Sequence, residues 1–121
     1  MSEKRNGREF DLEDRTFRFA QNVRALLKRL PRTICNIEDA KQAARSSGSV
    51  GANYIEANEA LSRKDFVLRA RIARKEAKET RYWLRLLDTR NDKALEAERD
   101  SLIKESTELL RIFSAILEKS T

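Results

Sequence analysis

The amino-acid sequence predicts an all-α protein, an antiparallel up-down-up-down four-helix bundle. Charged residues make up 38% of the 121 residues, whereas one proline and three glycines are present, and this balance is typical of long solvent-facing helices. Apolar residues recur at three- and four-residue spacing over four stretches, which turn or capping residues separate. Because short connections force consecutive helices to run antiparallel, the four stretches predict an up-down-up-down arrangement.

The first helix is predicted over residues 12–29, after a polar segment of residues 1–11 that is expected to be flexible. Asp11 is suited to the N-cap, and Pro31 ends the helix because it lacks a backbone N–H. Residues 12–121 are expected to form one bundle domain. The apolar side chains of the first helix predict one buried face: Phe19, Val23, Leu26 and Leu30.

The second helix is predicted over residues 36–60, with Asn36 and Asp39 at its start. Its middle, residues 46–51, consists mostly of small residues and includes two glycines. Each glycine costs a helix about 0.5–1 kcal/mol relative to alanine, so close packing against another helix is expected to compensate. The face predicted to pack carries Ile37, Ala40, Ala44, Ser47, Gly51, either Tyr54 or Ile55, and Asn58.

The third helix is predicted over residues 63–88. Ser62 followed by Asp65 has the spacing of a capping box and predicts where the helix begins. Three sectors appear when its residues are placed at about 100° per residue. The first sector is the predicted bundle core: Phe66, Ala70, Ala73, Ala77, Leu84 and Leu87.

A second apolar strip lies beside this core sector. An ordinary bundle helix buries a single stripe, so a second strip predicts a second contact. We therefore predict that the strip is a subunit interface in a homo-oligomer. The alternative is that the strip contacts the ends of neighbouring helices within one subunit. Its residues are Leu68, Ile72, Trp83 and Leu86.

The remaining sector of the third helix is basic. It falls in residues 61–90, whose 10 basic and four acidic side chains give the same excess as the whole chain, +6. Cations one helical turn apart can follow phosphates, which predicts binding to RNA, DNA or a nucleic-acid-associated protein. Without a base-reading motif, binding to nucleic acid should not be sequence-specific. The alternative is a solvated face with local ion pairs such as Lys75 with Glu79. We define the basic stripe as Arg71, Arg74, Lys78, Arg81 and Arg85.

The fourth helix is predicted over residues 92–118, beginning at Asn91 or Asp92. Apolar residues recur along its whole length and predict a buried face with a flanking row at seven-residue intervals. The buried face is Leu95, Leu102, Ser106, Leu109, Phe113 and Ile116, and the flanking row is Ile103, Leu110 and Leu117.

The composition excludes several classes of function. The chain contains no histidine and a single cysteine, Cys35, which excludes a Cys-His nucleophile, an intrachain disulfide and a histidine-containing di-iron site. Neither a stretch of about 20 apolar residues nor a signal-type apolar core is present. We therefore expect a cytoplasmic protein with no membrane partner and no cofactor.

Several motifs occur together between residues 42 and 87. They are Ala44, Ser46, Ser49, Ala52-Asn53, Glu56 and Ala57, followed by Ser62, Asp65-Phe66, Ile72-Ala73, Glu76, Glu79-Thr80 and Tyr82-Trp83-Leu84. This pattern resembles the four-helix-bundle family of ribosomal RNA intervening-sequence proteins. Many members read Glu-Gly where this chain has Glu56-Ala57-Asn58, so the second helix is expected to run longer here.

The resemblance implies a small bacterial bundle that assembles as a homopentamer. Related bundles, the accessory variability determinant proteins of diversity-generating retroelements, bind nucleic acid and a reverse transcriptase. The resemblance therefore implies nucleic acid, or a protein such as a reverse transcriptase, as the partner. Most members of the family have no assigned biochemical activity.

The resemblance also implies structural roles for four polar residues. A buried carboxylate is costly unless it is paired, so the two glutamates of the third helix are expected to pair, at the interface between subunits, with helix ends or with arginines such as Arg69, Arg74 or Arg81. The four residues are Asn53, Glu56, Glu76 and Glu79.

An enzyme is the alternative for these carboxylates. Glu56 with Glu59, and Glu76 with Glu79, resemble the acidic pairs with which all-α nucleoside-triphosphate pyrophosphohydrolases hold magnesium through oxygen ligands. That family has aspartate at the position of Glu79, and its flanking acidic residues are missing here. The sequence therefore predicts a protein that is not an enzyme, with no catalytic residues and no metal ligands.

Overall fold

The computed structural model describes residues 12–120, which form four α-helices joined by short loops. Every helix packs against its neighbour in the chain, and the first also packs against the fourth, so the bundle is closed. This arrangement confirms the predicted all-α four-helix bundle. The predictions made for residues 1–11, including Asp11 as an N-cap, lie outside the described residues. The helices are α1 (Leu12–Leu27), α2 (Ile34–Asn58), α3 (Arg63–Leu86) and α4 (Lys93–Ser120).

Hydrogen bonds between helices give the direction of each pair. Asn58 near the end of α2 donates to Glu13 near the start of α1, whereas Arg24 near the end of α1 donates to the carbonyl oxygen of Ala44. The residue numbers therefore run in opposite directions along the two helices. The same reversal holds between α2 and α3, between α3 and α4, and between α4 and α1, as the up-down-up-down prediction requires.

The core is formed by the faces that the periodicity predicts on three of the helices. All four residues predicted on α1 are buried, as are five of the six predicted on α3, whose exception is the half-buried Phe66. On α4 the buried face includes Leu117 in place of Ile116, which is half-buried and packs against the core. The largest fully buried side chains are Phe19, Phe113, Leu26, Leu84 and Leu109.

The buried face of α2 differs in part from the predicted one, of which Ser47 and Tyr54 are buried. Ala43, Ser46, Val50 and Ala57 point into the core, whereas the predicted Ile37, Ala40 and Ala44 are only half-buried. The reason is that α2 packs against both α1 and α3. The predicted face is the flank of α2 that faces α1.

The small residues of α2 allow close approach to α1, as predicted. A Cβ atom placed on Gly51 would lie 2.8 Å from Oγ1 and 3.2 Å from Cβ of Thr16. On the opposite flank, the Ser46 hydroxyl lies 2.7 Å from that of Thr80 on α3. The small residues therefore serve two different helix contacts.

Of the predicted starts of α2, α3 and α4, the last two agree with the structure and the first does not. Ser62 caps α3 by accepting a hydrogen bond from the backbone N–H of Asp65, and Asp92 does the same for Leu95 at the start of α4. The predicted cap at Asn36 is wrong, because Thr33 is the N-cap of α2. α2 ends at Asn58, beyond Glu56, in line with the expected longer helix.

Asn36 instead joins the two loops at one end of the bundle. Its buried amide nitrogen donates to the carbonyl oxygens of Pro31 (2.9 Å) and Asp88 (2.8 Å), and its Oδ1 accepts from the backbone N–H of Asp88 at 2.9 Å. One side chain thereby fixes the α1–α2 loop against the α3–α4 loop. In the latter loop, Arg90 and Asn91 both adopt positive φ, 52° and 62°.

Candidate nucleic-acid interface and apolar surfaces

The basic stripe lies on the flank of α3 that faces α4. Arg74 donates to the Ser114 hydroxyl of α4 at 3.4 Å, and Arg81 donates to the Thr107 hydroxyl at 3.2 Å. The other three cations of the stripe are exposed. Hydroxyl groups are neutral acceptors, so they orient the two guanidinium groups without neutralising their charge.

None of the five cations forms an ion pair with a carboxylate within residues 12–120. The local pair expected from the alternative interpretation, Lys75 with Glu79, is not formed, because Glu79 pairs with Arg45 of α2. The positive charge of the stripe is therefore uncompensated in this part of the chain.

Helix α4 brings two further cations to the stripe. The register set by the Arg74 and Arg81 contacts places Arg111 level with Lys78, and Lys104 level with Arg85, along the helix axes. Both α4 residues are exposed, and Arg111 pairs with Glu108 at 2.6 Å. These two residues were not predicted, because the register between α3 and α4 decides which residues of α4 are level with the stripe.

The carboxylates Glu76 and Glu79 meet a partner that the sequence analysis did not name. Arg45 on α2 lies 3.2 Å from an oxygen of each. Glu76 is buried, so this contact and not one with Arg69, Arg74 or Arg81 compensates its charge. The signal available in the sequence was weak, because Arg45 is one of 26 basic residues.

The other two predicted structural polar residues have different surroundings. The Asn53 amide donates to the backbone oxygen and the hydroxyl of Ser49, at 2.9 and 3.0 Å, and its oxygen accepts from Arg69 at 3.3 Å. It therefore contributes to the α2–α3 contact within one chain. Glu56 is exposed and forms no ion pair with the described residues.

The two carboxylate pairs of the enzyme alternative do not converge. Since Ser46 lies beside Thr80 and Asn53 beside Arg69, Glu56 is level with residues near 68, about eight residues along α3 from Glu76. That offset is about 12 Å along the helix axis. Within residues 12–120 there is no group of three or more potential metal ligands. The geometry therefore gives a shared magnesium site no support.

The predicted interface strip on α3 is partly exposed. Leu68 is 52% and Leu86 48% exposed, whereas Ile72 and Trp83 are half-buried. Trp83 packs against the core of its own subunit, as the alternative interpretation of the strip expects. Leu68 and Leu86 thus remain as the most accessible apolar residues of the strip.

A second apolar surface, the α1–α2 groove, was missed by the sequence analysis. It has a volume of about 330 Å³ and is lined by Phe17, Ala20, Ala52, Ile55 and the two glycines of α2, together with the polar residues Glu13, Thr16, Gln21 and Arg24. Phe17 on α1 is 60% exposed and Ile55 on α2 is 46% exposed. Phe17 falls outside the predicted buried face of the first helix, which is the signal that could have revealed the groove, whereas Ile55 was one of two alternatives for the predicted face of the second helix.

No helix within residues 12–120 combines the length and the apolar character that crossing a membrane requires.

Comparison with known proteins identifies the family. The family model described as 23S rRNA-intervening sequence protein matches residues 8–115. A crystal structure of a protein with unknown function from the S23 ribosomal protein family of Bacteroides thetaiotaomicron is similar, with a TM-score of 0.73 and 35% sequence identity over 87% of this chain and 96% of that chain. No curated protein matches the chain. The family model and the fold agree with the resemblance noted in residues 42–87, and the chain belongs to the 23S rRNA-intervening sequence protein family.

Proposed function

We propose that this protein is a non-enzymatic homo-oligomer that binds RNA or DNA through the basic stripe of α3. The observation that carries this proposal is the row of five cations that has no carboxylate partner within residues 12–120. Cations that are not neutralised by the protein can release the counterions condensed on a phosphate backbone, and this release drives binding.

The spacing of the stripe suits a phosphate backbone. Arg71, Lys78 and Arg85 are seven residues apart and exposed, so they lie at intervals of about 10.5 Å along α3. Arg74 and Arg81 lie between them and are oriented by α4. Contacts of this kind set position and affinity but carry no sequence information.

Two separate apolar surfaces support the proposed self-association. The strip on α3 and the α1–α2 groove lie on opposite flanks of α2. A two-fold interface needs one self-complementary surface, whereas a head-to-tail interface uses two different surfaces and can close into a ring. We propose that the groove of one copy receives the strip of the next. The pentamer implied by the family resemblance is one such ring.

Nucleic-acid binding is tested by fluorescence anisotropy with labelled RNA and DNA over a range of salt concentrations. In the triple variant Arg71→Gln/Lys78→Gln/Arg85→Gln, we expect weaker binding and a salt slope smaller by about 3. The matched control is Lys28→Gln/Arg32→Gln/Lys119→Gln, which removes three exposed cations elsewhere. An affinity that does not change with salt, or an equal loss in the control, would contradict the proposal.

The head-to-tail interface is tested by mixing two variants. Ile55→Glu damages the groove and Leu68→Glu damages the strip, so each variant alone should sediment as a monomer in the analytical ultracentrifuge. Mixed in equal amounts, they should form a one-to-one dimer, because the mixture contains one intact groove and one intact strip. A wild-type monomer at micromolar concentration, or a mixture that stays monomeric, would overturn the interface.

The remaining alternatives have distinguishable outcomes. An oligomer that binds neither RNA nor DNA would indicate a structural scaffold, and a reverse transcriptase would then be the protein partner to test first. Magnesium-dependent hydrolysis of nucleoside triphosphates that is lost in Glu76→Gln would instead favour the enzyme alternative.

A further inference from the structure

An exposed aromatic side chain stands beside the basic stripe. Tyr82 is 55% exposed, and its ring makes an edge contact with Trp83, with centroids 5.1 Å apart and planes at 78°. Trp83 packs in turn against the core. The contact therefore ties the Tyr82 ring to a neighbour that packs against the core, while more than half of Tyr82 stays exposed to solvent.

Cations flank this ring on its own helix. Lys78 lies four residues before Tyr82 and Arg85 lies three residues after it, so both are neighbours of the ring on one helix surface. Arg81 precedes it in the chain and is held by Thr107 of α4. The acidic side chain nearest on this helix, Glu79, is turned toward Arg45 of α2. The ring therefore lies in a positive field.

We infer that Tyr82 is a stacking site for an unpaired nucleobase, so that the preferred ligand is single-stranded RNA or DNA. The inference rests on the proposed nucleic-acid binding and specifies its ligand. Sites for single strands combine cations that follow the backbone with aromatic rings on which bases stack. In a duplex the bases are stacked on one another, and an aromatic ring reaches them only where they are unpaired.

The chemistry of the site sets its selectivity. Every base presents a π-face, so stacking on Tyr82 tolerates any sequence. The ring loses little conformational freedom on binding, because the Trp83 contact already restricts it. The tyrosine hydroxyl has no hydrogen-bond partner within residues 12–120, and stacking does not require one. Phenylalanine should therefore replace tyrosine without loss.

The experiment compares Tyr82→Leu and Tyr82→Phe with the wild type, using single-stranded oligouridine and an RNA duplex of equal strand length. Tyr82→Leu should weaken oligouridine binding about 5- to 100-fold, whereas Tyr82→Phe should bind as the wild type does. Duplex affinity should be the same in all three proteins. Ile34→Ala, which removes an exposed apolar side chain at the start of α2 and outside both the groove and the strip, is the control and should leave both affinities unchanged.

A second readout is the fluorescence of Trp83, the only tryptophan of the chain. Oligouridine should change its emission in the wild type and in Tyr82→Phe, and the change should be lost in Tyr82→Leu. Circular dichroism checks that each variant is folded.

Each outcome has a defined meaning. If the wild type binds neither the duplex nor the single strand, the proposed nucleic-acid binding is itself contradicted. Oligouridine affinity that is equal in Tyr82→Leu and wild type would overturn the stacking site and leave the basic stripe standing. A change of oligomeric state in Tyr82→Leu, measured by sedimentation, would assign the ring to a contact between copies and would equally overturn the stacking site.

Discussion

Replacing Gly51 by alanine should destabilise the bundle, although alanine is the better helix former. The new Cβ would lie 2.8 Å from Oγ1 and 3.2 Å from Cβ of Thr16. Thr16 is buried, and its hydroxyl donates to the carbonyl oxygens of Leu12 (2.9 Å) and Glu13 (3.0 Å). A β-branched side chain has few alternative rotamers in a helix. Relief of the clash therefore requires α1 and α2 to separate slightly.

The magnitude follows from two opposing effects. Alanine gains about 1 kcal/mol over glycine in a helix, whereas forcing a methyl group into a packed contact costs about 1–3 kcal/mol. The expected net loss of unfolding free energy for Gly51→Ala is therefore up to about 2 kcal/mol. Gly48 is the matched control, because a Cβ there would lie 3.2 Å from the Arg24 guanidinium, the mobile end of a long side chain. Gly48→Ala should be neutral or stabilising by up to about 1 kcal/mol.

The assay is urea unfolding followed by circular dichroism and Trp83 fluorescence, together with thermal unfolding at one fixed protein concentration. Each kcal/mol should move Tm by about 3–5 °C in a chain of this size. The double variant Thr16→Ala/Gly51→Ala should recover part of the loss, because the clashing hydroxyl is removed. A Gly51→Ala protein as stable as Gly48→Ala would refute the close α1–α2 contact.

Two further substitutions test buried polar contacts. Asn36→Asp keeps the oxygen that accepts from Asp88 but loses both amide donors, so it should cost about 2–3 kcal/mol in urea unfolding at pH 7. The loss should shrink near pH 3, where a protonated carboxyl group can donate once, and a loss that is independent of pH would speak against this account. Arg45→Met leaves Glu76 buried without its cation and should cost about 1–2 kcal/mol, while the exposed Lys41→Met should cost less than about 0.5 kcal/mol. Adding Glu76→Gln to Arg45→Met should restore part of the stability, and failure to do so would show that the ion pair is not the cause.

Local sequence patterns were sufficient for much of the fold. The buried faces of α1, α3 and α4 follow the three- and four-residue spacing of large apolar side chains, which contrast strongly with the charged residues between them. The cap at Ser62 is predictable because capping is a contact between residues three positions apart, and Asp92, which makes the same contact, is one of the two predicted starting residues of α4.

Helix α2 shows where such patterns are insufficient. Its residues 46–51 are mostly small and polar, so the apolar contrast that marks a buried face is weak there, and the predicted face was the flank toward α1. The local pattern also favours Asn36 as the start of α2, because it does not contain the distant contacts that this side chain makes. Its true partners, Pro31 and Asp88, include a residue 52 positions away, and no local rule describes a contact of that range.

Local patterns and motifs were enough to identify this chain as a four-helix bundle of the intervening-sequence family and to mark the basic stripe and the apolar strip of α3. The surroundings of these surfaces emerge only from the packed bundle: Arg45 contacts Glu76 and Glu79, the hydroxyls of α4 orient Arg74 and Arg81, and the α1–α2 groove forms. This difference arises because periodicity fixes which side of one helix is apolar. The rotation and register between helices depend instead on how all four pack together, and these set which charges are paired and which surfaces stay open.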